Sequence, residues 1–133
     1  MMRYVLALDF GASSGRAMLA GFDGSRITLQ EVHRFANEPV SKDGRLYWNV
    51  PQLMEELEQG LQVGYAIAPY ESIAIDTWGV DYGMLGADGT LLELPRHYRD
   101  GRTDGILQKA EQLLPAAELY RRTGTQVMEI NTL

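Results

Sequence analysis

At 133 residues the chain has the length of one domain rather than two, and its 45% hydrophobic and 23% charged content suits a globular protein with a core of its own. A net charge of −6 argues against a nucleic-acid backbone as partner, while local amides and an arginine still suit a small anion. The absence of cysteine excludes disulfides, zinc–thiolate sites and thiol nucleophiles. No apolar run reaches the about 20 residues of a membrane helix, so no membrane partner is expected. The run from Tyr4 to Leu8 is cut by Asp9 and too short for a signal peptide, which makes the cytosol the expected setting.

Tyr4 to Leu8 is continuously apolar and predicts a strand buried on both faces. Arg16 to Phe22 predicts a second strand, and Asp23-Gly24-Ser25 a hairpin turn in which Gly24 takes positive φ. A third strand follows from about Arg26 to Phe35, with a slip of phase at Val32 that permits a bulge. Asn37 to Arg45 reads as a polar loop. Asn49 is placed to cap a helix, with Gln52 three residues on, and Val50, Leu53, Leu57 and Leu61 form its apolar face opposite Glu55, Glu56 and Gln59. That helix should fade at Ala68-Pro69.

Ser72 to Thr77 predicts a strand that returns parallel to the first after the helix. Tyr82 to Leu85 and Thr90 to Leu92 suggest a second hairpin around Ala87-Asp88-Gly89. Thr103 or Asp104 would cap a helix carrying Ile106, Leu107, Ala110, Leu113 and Leu114. Pro115 opens a further helix, closed by Arg121, Arg122 and Gly124. The end at Asn131-Thr132-Leu133 has no charged tail and no finished helix, so the chain is expected to be a fragment of a longer one.

The segment Leu6 to Arg16 carries the most chemical information. An apolar strand ends in Asp9, and Gly11, Ala12, Ser13, Ser14, Gly15 and Arg16 follow. Amides, two hydroxyls and a guanidinium in that order can wrap a phosphate, and Asp9 beside them can hold Mg²⁺ directly or through water. The same residues also suit an ordinary tight turn with a self-bonded aspartate. It is neither a Walker loop nor a dinucleotide fingerprint, because the Gly-Lys-Ser/Thr ending is absent and a strand follows. Asp76-Thr77-Trp78-Gly79 ends the parallel strand, which would bring Asp76 and Asp9 to one end of the sheet. There Gly79 allows close approach of a ligand and Trp78 offers a flat apolar wall, or serves as a core residue at a strand end. Tyr98-Arg99-Asp100-Gly101-Arg102 is either a polyol contact or a solvated charged loop. His33 and His97 have no partner at catalytic spacing and read as surface or structural, and Trp48 as a packing anchor.

The order strand, Asp–Gly turn, strand, strand, helix, strand resembles the ribonuclease H-like α/β fold of the actin, hexokinase and chaperone ATPases. Asp9 to Arg16, Ile75 to Tyr82, and Tyr98-Arg99-Asp100 with Arg102-Thr103 together resemble the FGGY carbohydrate kinases. Glu31 to Phe35 and Trp48-Asn49-Val50 resemble the members that act on L-rhamnulose. The resemblance implies a mixed sheet with three antiparallel first strands and flanking helices, incomplete here. Residues 1–133 would be the N-terminal part of the first kinase domain. It implies transfer of the ATP γ-phosphoryl group to the 1-hydroxyl of L-rhamnulose, with ATP contacts at Ala12, Ser13, Ser14, Gly15 and Arg16 and Mg²⁺ near Asp9. Gly79 and Trp78, with Tyr98 and Arg99, would face the sugar. Alternatives are another FGGY kinase, for xylulose, fuculose or glycerol, or a non-catalytic nucleotide-binding remnant. The catalytic base and the second domain would lie beyond residue 133. The chain alone is therefore expected to be inactive, and to self-associate through the apolar surface left uncovered.

Overall fold

Alternation along the first strand decides which side of the protein becomes core. β1 runs Arg3–Phe10, and Leu6, Leu8 and Phe10 are buried on one face, while Val5 on the other is 41% exposed. The expected burial on both faces is not realised, because the helix of this unit covers one face only. The computed structural model describes residues 1–131; Thr132 and Leu133, part of the expected unfinished end, lie outside the described residues. The chain forms two units, Met1–Val40 with Trp48–Gly79, and Ser41–Tyr47 with Val80–Leu133.

In the first unit, β2 (Ser14–Phe22) pairs antiparallel with β1, Leu8 opposite Ala17 and Leu6 opposite Leu19. Asp23 turns the chain by accepting the amides of Ser25 and Arg26, each at 2.8 Å, and Gly24 takes φ +106°. β3 (Ile27–Ala36) follows. Ala17 faces His33 and Met18 faces Glu31, so Val32 is left over as the bulge residue expected there.

Asn49 caps α1 (Val50–Ile67): its Oδ1 accepts the Gln52 amide at 3.3 Å, and its Nδ2 donates to Gln52 Oε1 at 3.1 Å. Leu53, Leu57 and Leu61 pack on the sheet, as their spacing predicts. The closest approach is made by Gly60 and Gly64, both buried. A Cβ at Gly64 would lie 2.7 Å from Leu6 Cδ1, and one at Gly60 would lie 3.0 Å from Ala17 Cβ. Glu56, expected on the solvent face, is mostly buried and pairs with His33 of β3, Oε2 to Nε2, at 2.6 Å. α1 ends where Ala68 turns extended ahead of Pro69. β6 (Ser72–Thr77) then runs parallel to β1, which completes the sheet order β3-β2-β1-β6. The mixed sheet with three antiparallel first strands is thus present.

In the second unit, the predicted polar loop contains a hairpin instead. β4 (Val40–Lys42) and β5 (Arg45–Tyr47) are joined by Asp43 and Gly44, both at positive φ. Asp-Gly is the usual signature of such a turn. The second predicted hairpin reduces to one bridge, Leu85 to Leu91, without strands: Asp88 holds the turn through the Thr90 amide and hydroxyl, but so short a pairing has no third strand to lean on. α2 (Ile106–Leu113) is preceded by Gly105 in the left-handed region, not capped by Thr103 or Asp104. Thr103 instead ends a short 3₁₀ turn over Gly101–Thr103, which Asp100 caps at its start and Asp104 follows as the C-cap. α3 (Ala116–Thr123) ends at Gly124, φ +68°, as expected.

Gly15 faces Phe35 across β2 and β3, and a Cβ there would lie 2.0 Å from Phe35 Cζ. Phe35 is itself held edge-on to Phe10, 5.5 Å between ring centroids. Gly15→Ala should therefore lower the free energy of unfolding by about 1–3 kcal/mol, measured in urea. An unchanged midpoint would contradict this packing.

Candidate functional site

The carboxyl end of β1 is where the side chains with binding chemistry collect in the first unit. Strand pairing sets Asp9 opposite Arg16 of β2 and beside Asp76 of β6, all three on the face away from α1. Arg16 donates Nε to Asp9 Oδ2 at 3.0 Å, and its Nη2 forms an ion pair with the same oxygen at 2.8 Å. Both side chains are about half exposed, so the pair is of the weak surface kind and readily exchanges partners. Asp76 Oδ1 accepts the Thr77 amide at 3.0 Å.

The turn between β1 and β2 is shorter than the sequence suggests, because β2 already begins at Ser14. Ser13 and Ser14 are exposed, whereas Gly15 is buried against Phe35. The backbone carbonyls of the turn are engaged inward. Gly11 donates its amide to the Ser14 carbonyl at 3.0 Å, and the Asn37 amide donates to the Ser13 carbonyl at 3.0 Å. The Asn37 side chain, from a residue 4% exposed, donates Nδ2 to the Gly11 carbonyl at 2.9 Å. Sequence reasoning missed Asn37. Its contacts bridge two dozen residues, and an asparagine after a strand carries no periodic signal.

The donor set suits Mg²⁺, which commonly takes one or two protein carboxylates and keeps waters and phosphate oxygens for the rest. Asp9 and Asp76 supply two solvent-accessible carboxylates in one row. Among the described residues no group of three or more His, Asp or Glu forms an all-protein cage. Trp78 is half-buried and tilted on Trp48, ring centroids 4.1 Å apart, and packs against the core. Trp48, 1% exposed, is the packing anchor its place before α1 suggests. Gly79 has open space where a Cβ would stand, with nothing within 4 Å.

Tyr98 and Arg99 belong to the second unit. The segment around them is not a solvated loop: His97 is 2% and Asp100 3% exposed, which corrects any surface reading of His97. His97 Nδ1 accepts the Arg99 amide at 3.0 Å. Asp100 Oδ2 accepts the Leu46 amide of β5 at 2.9 Å, and Oδ1 the Arg102 amide at 3.0 Å. The Leu46 amide holds the Asp100 carboxyl below its ordinary range, helped by the Arg102 amide and by Arg45 and Arg96 against the opposing effect of burial. Burial lowers His97, with Arg99 adding to it and Asp81 and Asp100 opposing. The Tyr98 ring stacks on His97 at 4.6 Å, and the Arg99 guanidinium lies 5.3 Å from the Tyr98 ring centroid.

Asn37→Ala removes the side-chain bond to the Gly11 carbonyl and should destabilise by about 1–3 kcal/mol. Asn37→Asp should cost more, because it aims a buried carboxylate at a carbonyl. Thermal unfolding of the two variants checks both; an Asp variant as stable as the parent would mean the clamp is not formed.

No protein-family model matches the chain. Among curated proteins it is 47% identical to the rhamnulokinase of Klebsiella pneumoniae strain 342 over 138 residues, covering 99% of this chain and 28% of that protein. It is 42% identical to the rhamnulokinase of Mannheimia succiniciproducens, covering 97% of this chain and 27% of that protein. Among solved structures it superposes on a xyloylose kinase from Brucella ovis with a TM-score of 0.73 at 17% identity, covering 99% of this chain and 27% of that one. A gluconate kinase from Lactobacillus acidophilus gives 0.71 at 17% identity, covering 94% and 25%. Plasmodium falciparum glycerol kinase with ADP gives 0.70 at 17% identity, covering 98% and 27%. At that identity the solved structures speak for the fold alone: part of an actin- and hexokinase-like sugar-kinase domain. By sequence the chain is a homologue of the rhamnulokinases, and it spans about 28% of the length of these curated relatives.

Proposed function

We propose that this chain carries the phosphate turn and part of the sugar-binding surface of a cytosolic, ATP-dependent kinase that phosphorylates the 1-hydroxyl of L-rhamnulose. The observation that carries the proposal is the row Asp9, Arg16 and Asp76 at the end of β1, beside a clamped Gly-Ala-Ser turn, in a chain 47% identical to a rhamnulokinase. Ala12, Ser13 and Ser14 receive phosphate oxygens on amides and hydroxyls, and Gly15 keeps the strand close behind them. Arg16 exchanges Asp9 for a phosphate. Asp9, with Asp76, holds Mg²⁺, which when bound neutralises phosphate charge during transfer. In the first unit Gly79 leaves room for a sugar and Trp78 walls it; in the second unit Tyr98 and Arg99 offer hydrogen bonds to a sugar.

Phosphoryl transfer also needs a base for the attacking hydroxyl and a closing cleft that excludes water. In this reading the part of the relatives' length that the chain does not span supplies both, so the chain alone is inactive. ADP release with ATP and L-rhamnulose should be seen with the product of the complete reading frame and not with the 133-residue chain. Turnover by the chain itself would overturn the assignment of the base elsewhere. Turnover of xylulose, fuculose or glycerol instead would keep the kinase and change the sugar. No turnover with any sugar would favour a nucleotide-binding remnant.

Gly79→Ala separates binding from folding. The site has open space and no positive φ, so stability should change by less than about 0.5 kcal/mol. In the complete product the KM for L-rhamnulose should rise. An unchanged KM would remove Gly79 from the sugar contacts.

Uncovered apolar surface further supports self-association of the isolated chain. Phe22, Ile27 and Leu29 are exposed on the outer face of the sheet, and Ile73 and Ile75 of the edge strand β6 are exposed on the opposite face, in register with Leu6 and Leu8. Sedimentation should show mass rising with concentration. A single monomer species with no apolar-dye binding would contradict it.

A further inference from the structure

The turn that presents Tyr98 and Arg99 is held by two buried side chains that both reach for backbone amides. His97 accepts from Arg99 at 3.0 Å, and its carbonyl takes the Asp100 amide at 2.8 Å and Arg102 Nη1 at 3.2 Å. The carboxylate of Asp100 ties the same turn to β5 through Leu46 and to the following 3₁₀ turn through Arg102. The His97 amide donates to the Leu46 carbonyl at 3.0 Å, so the turn and β5 are joined in both directions. The aromatic ring of Tyr98 then lies on the imidazole that fixes its neighbour.

We propose that His97 and Asp100 are positioning residues, which set Tyr98 and Arg99 in the pose that meets the sugar and loosen it when His97 takes up a proton. The sugar part of this rests on reading Tyr98 and Arg99 as sugar contacts; the latch itself does not.

The chemistry follows from one lone pair. To accept the Arg99 N–H, Nδ1 must be unprotonated, so the neutral ring carries its hydrogen on Nε2. A proton on Nδ1 would set donor against donor and lose the bond. The charged groups facing the ring are Asp81 and Asp100, which favour the proton, and Arg99, which opposes it. Arg102 is held at the carbonyl of the same residue. Burial is the largest influence and opposes the proton, so His97 titrates below its ordinary value of about 6.5. Above about pH 6.5 the ring is neutral folded or unfolded and the latch is intact. As pH falls below that value the unfolded chain binds the proton first, so the folded turn loses stability until the folded ring titrates as well.

Amide hydrogen exchange in the 133-residue chain tests the latch. His97→Asn keeps an acceptor near the position of Nδ1 and has no proton to gain; His97→Ala removes the acceptor. After correction for the intrinsic pH dependence, the Arg99 amide should exchange roughly tenfold faster in His97→Ala, the effect of losing one ordinary hydrogen bond. In His97→Asn it should stay within about threefold of the parent. Acid should speed Arg99 exchange in the parent and not in His97→Asn. Amides of α2 report whether the variants keep the fold of this unit. Equal exchange at Arg99 in the two variants, or equal acid response in parent and His97→Asn, would overturn the latch. In the complete product, His97→Ala should raise the KM for L-rhamnulose and leave that for ATP unchanged. If exchange behaves as expected while the sugar KM does not move, the role in sugar positioning is overturned. Failure of the parent complete product to phosphorylate L-rhamnulose would instead strike the substrate reading, with the exchange result still standing.

Discussion

Asp9 is useful only because of the register in which β1 lies between β2 and β6. Side chains in a strand alternate between faces, so a slip of one residue would turn Asp9 under α1 and expose Leu8. The observed register sets Asp9 across from Arg16 and beside Asp76, and every proposed contact to phosphate or metal descends from that row. Three features resist a slip. Leu6, Leu8 and Phe10 would all leave the core together. Asn37 ties the β1–β2 turn to the end of β3. The bulge at Val32 absorbs the mismatch between β2 and β3, so both ends of that pairing stay in phase with the core.

The close seat of α1 reinforces the same register. Gly60 and Gly64 stand one turn apart on the face toward the sheet and let the helix backbone settle onto Ala17, Leu8 and Leu6. Each glycine costs up to about 1 kcal/mol of helix propensity relative to alanine, a loss that close packing offsets. The His33–Glu56 pair and the Trp48–Trp78 contact then fix the helix at separate points. Trp48 precedes α1 and Trp78 follows β6, so their contact joins the start of the helix to the segment that leads to Gly79.

Charge is arranged locally rather than globally. The chain carries a net −6, yet its exposed turn offers two serines and, two residues past Ser14, an arginine paired with a half-exposed carboxylate. A weak surface pair of this kind is stable enough to orient Arg16 and weak enough to yield to a stronger anion. The Tyr98–Arg99 turn follows the opposite design. There the polar groups are buried and bonded to backbone, which makes the turn rigid at the expense of tolerance to substitution.

Much of the first unit was legible in the residues. The apolar runs, Gly24, the phase slip at Val32, Asn49 with Gln52, and the leucine spacing of α1 are local signals, and each produced the expected element. Asp9 and the small-residue turn were visible for the same reason: short-range geometry is written in adjacent residues. The Asp43-Gly44 hairpin was equally local and was passed over among polar neighbours. Tertiary structure decided what depends on residues far apart in sequence. It exposed one face of β1, because burial depends on what covers a strand and not on the strand. It made Asn37 a clamp, Gly15 a packing residue and Glu56 a partner of His33, since each contact spans some twenty residues or more. It also turned His97 and Asp100 from members of a charged loop into its buried supports, because only the folded chain brings β5 within hydrogen-bonding reach.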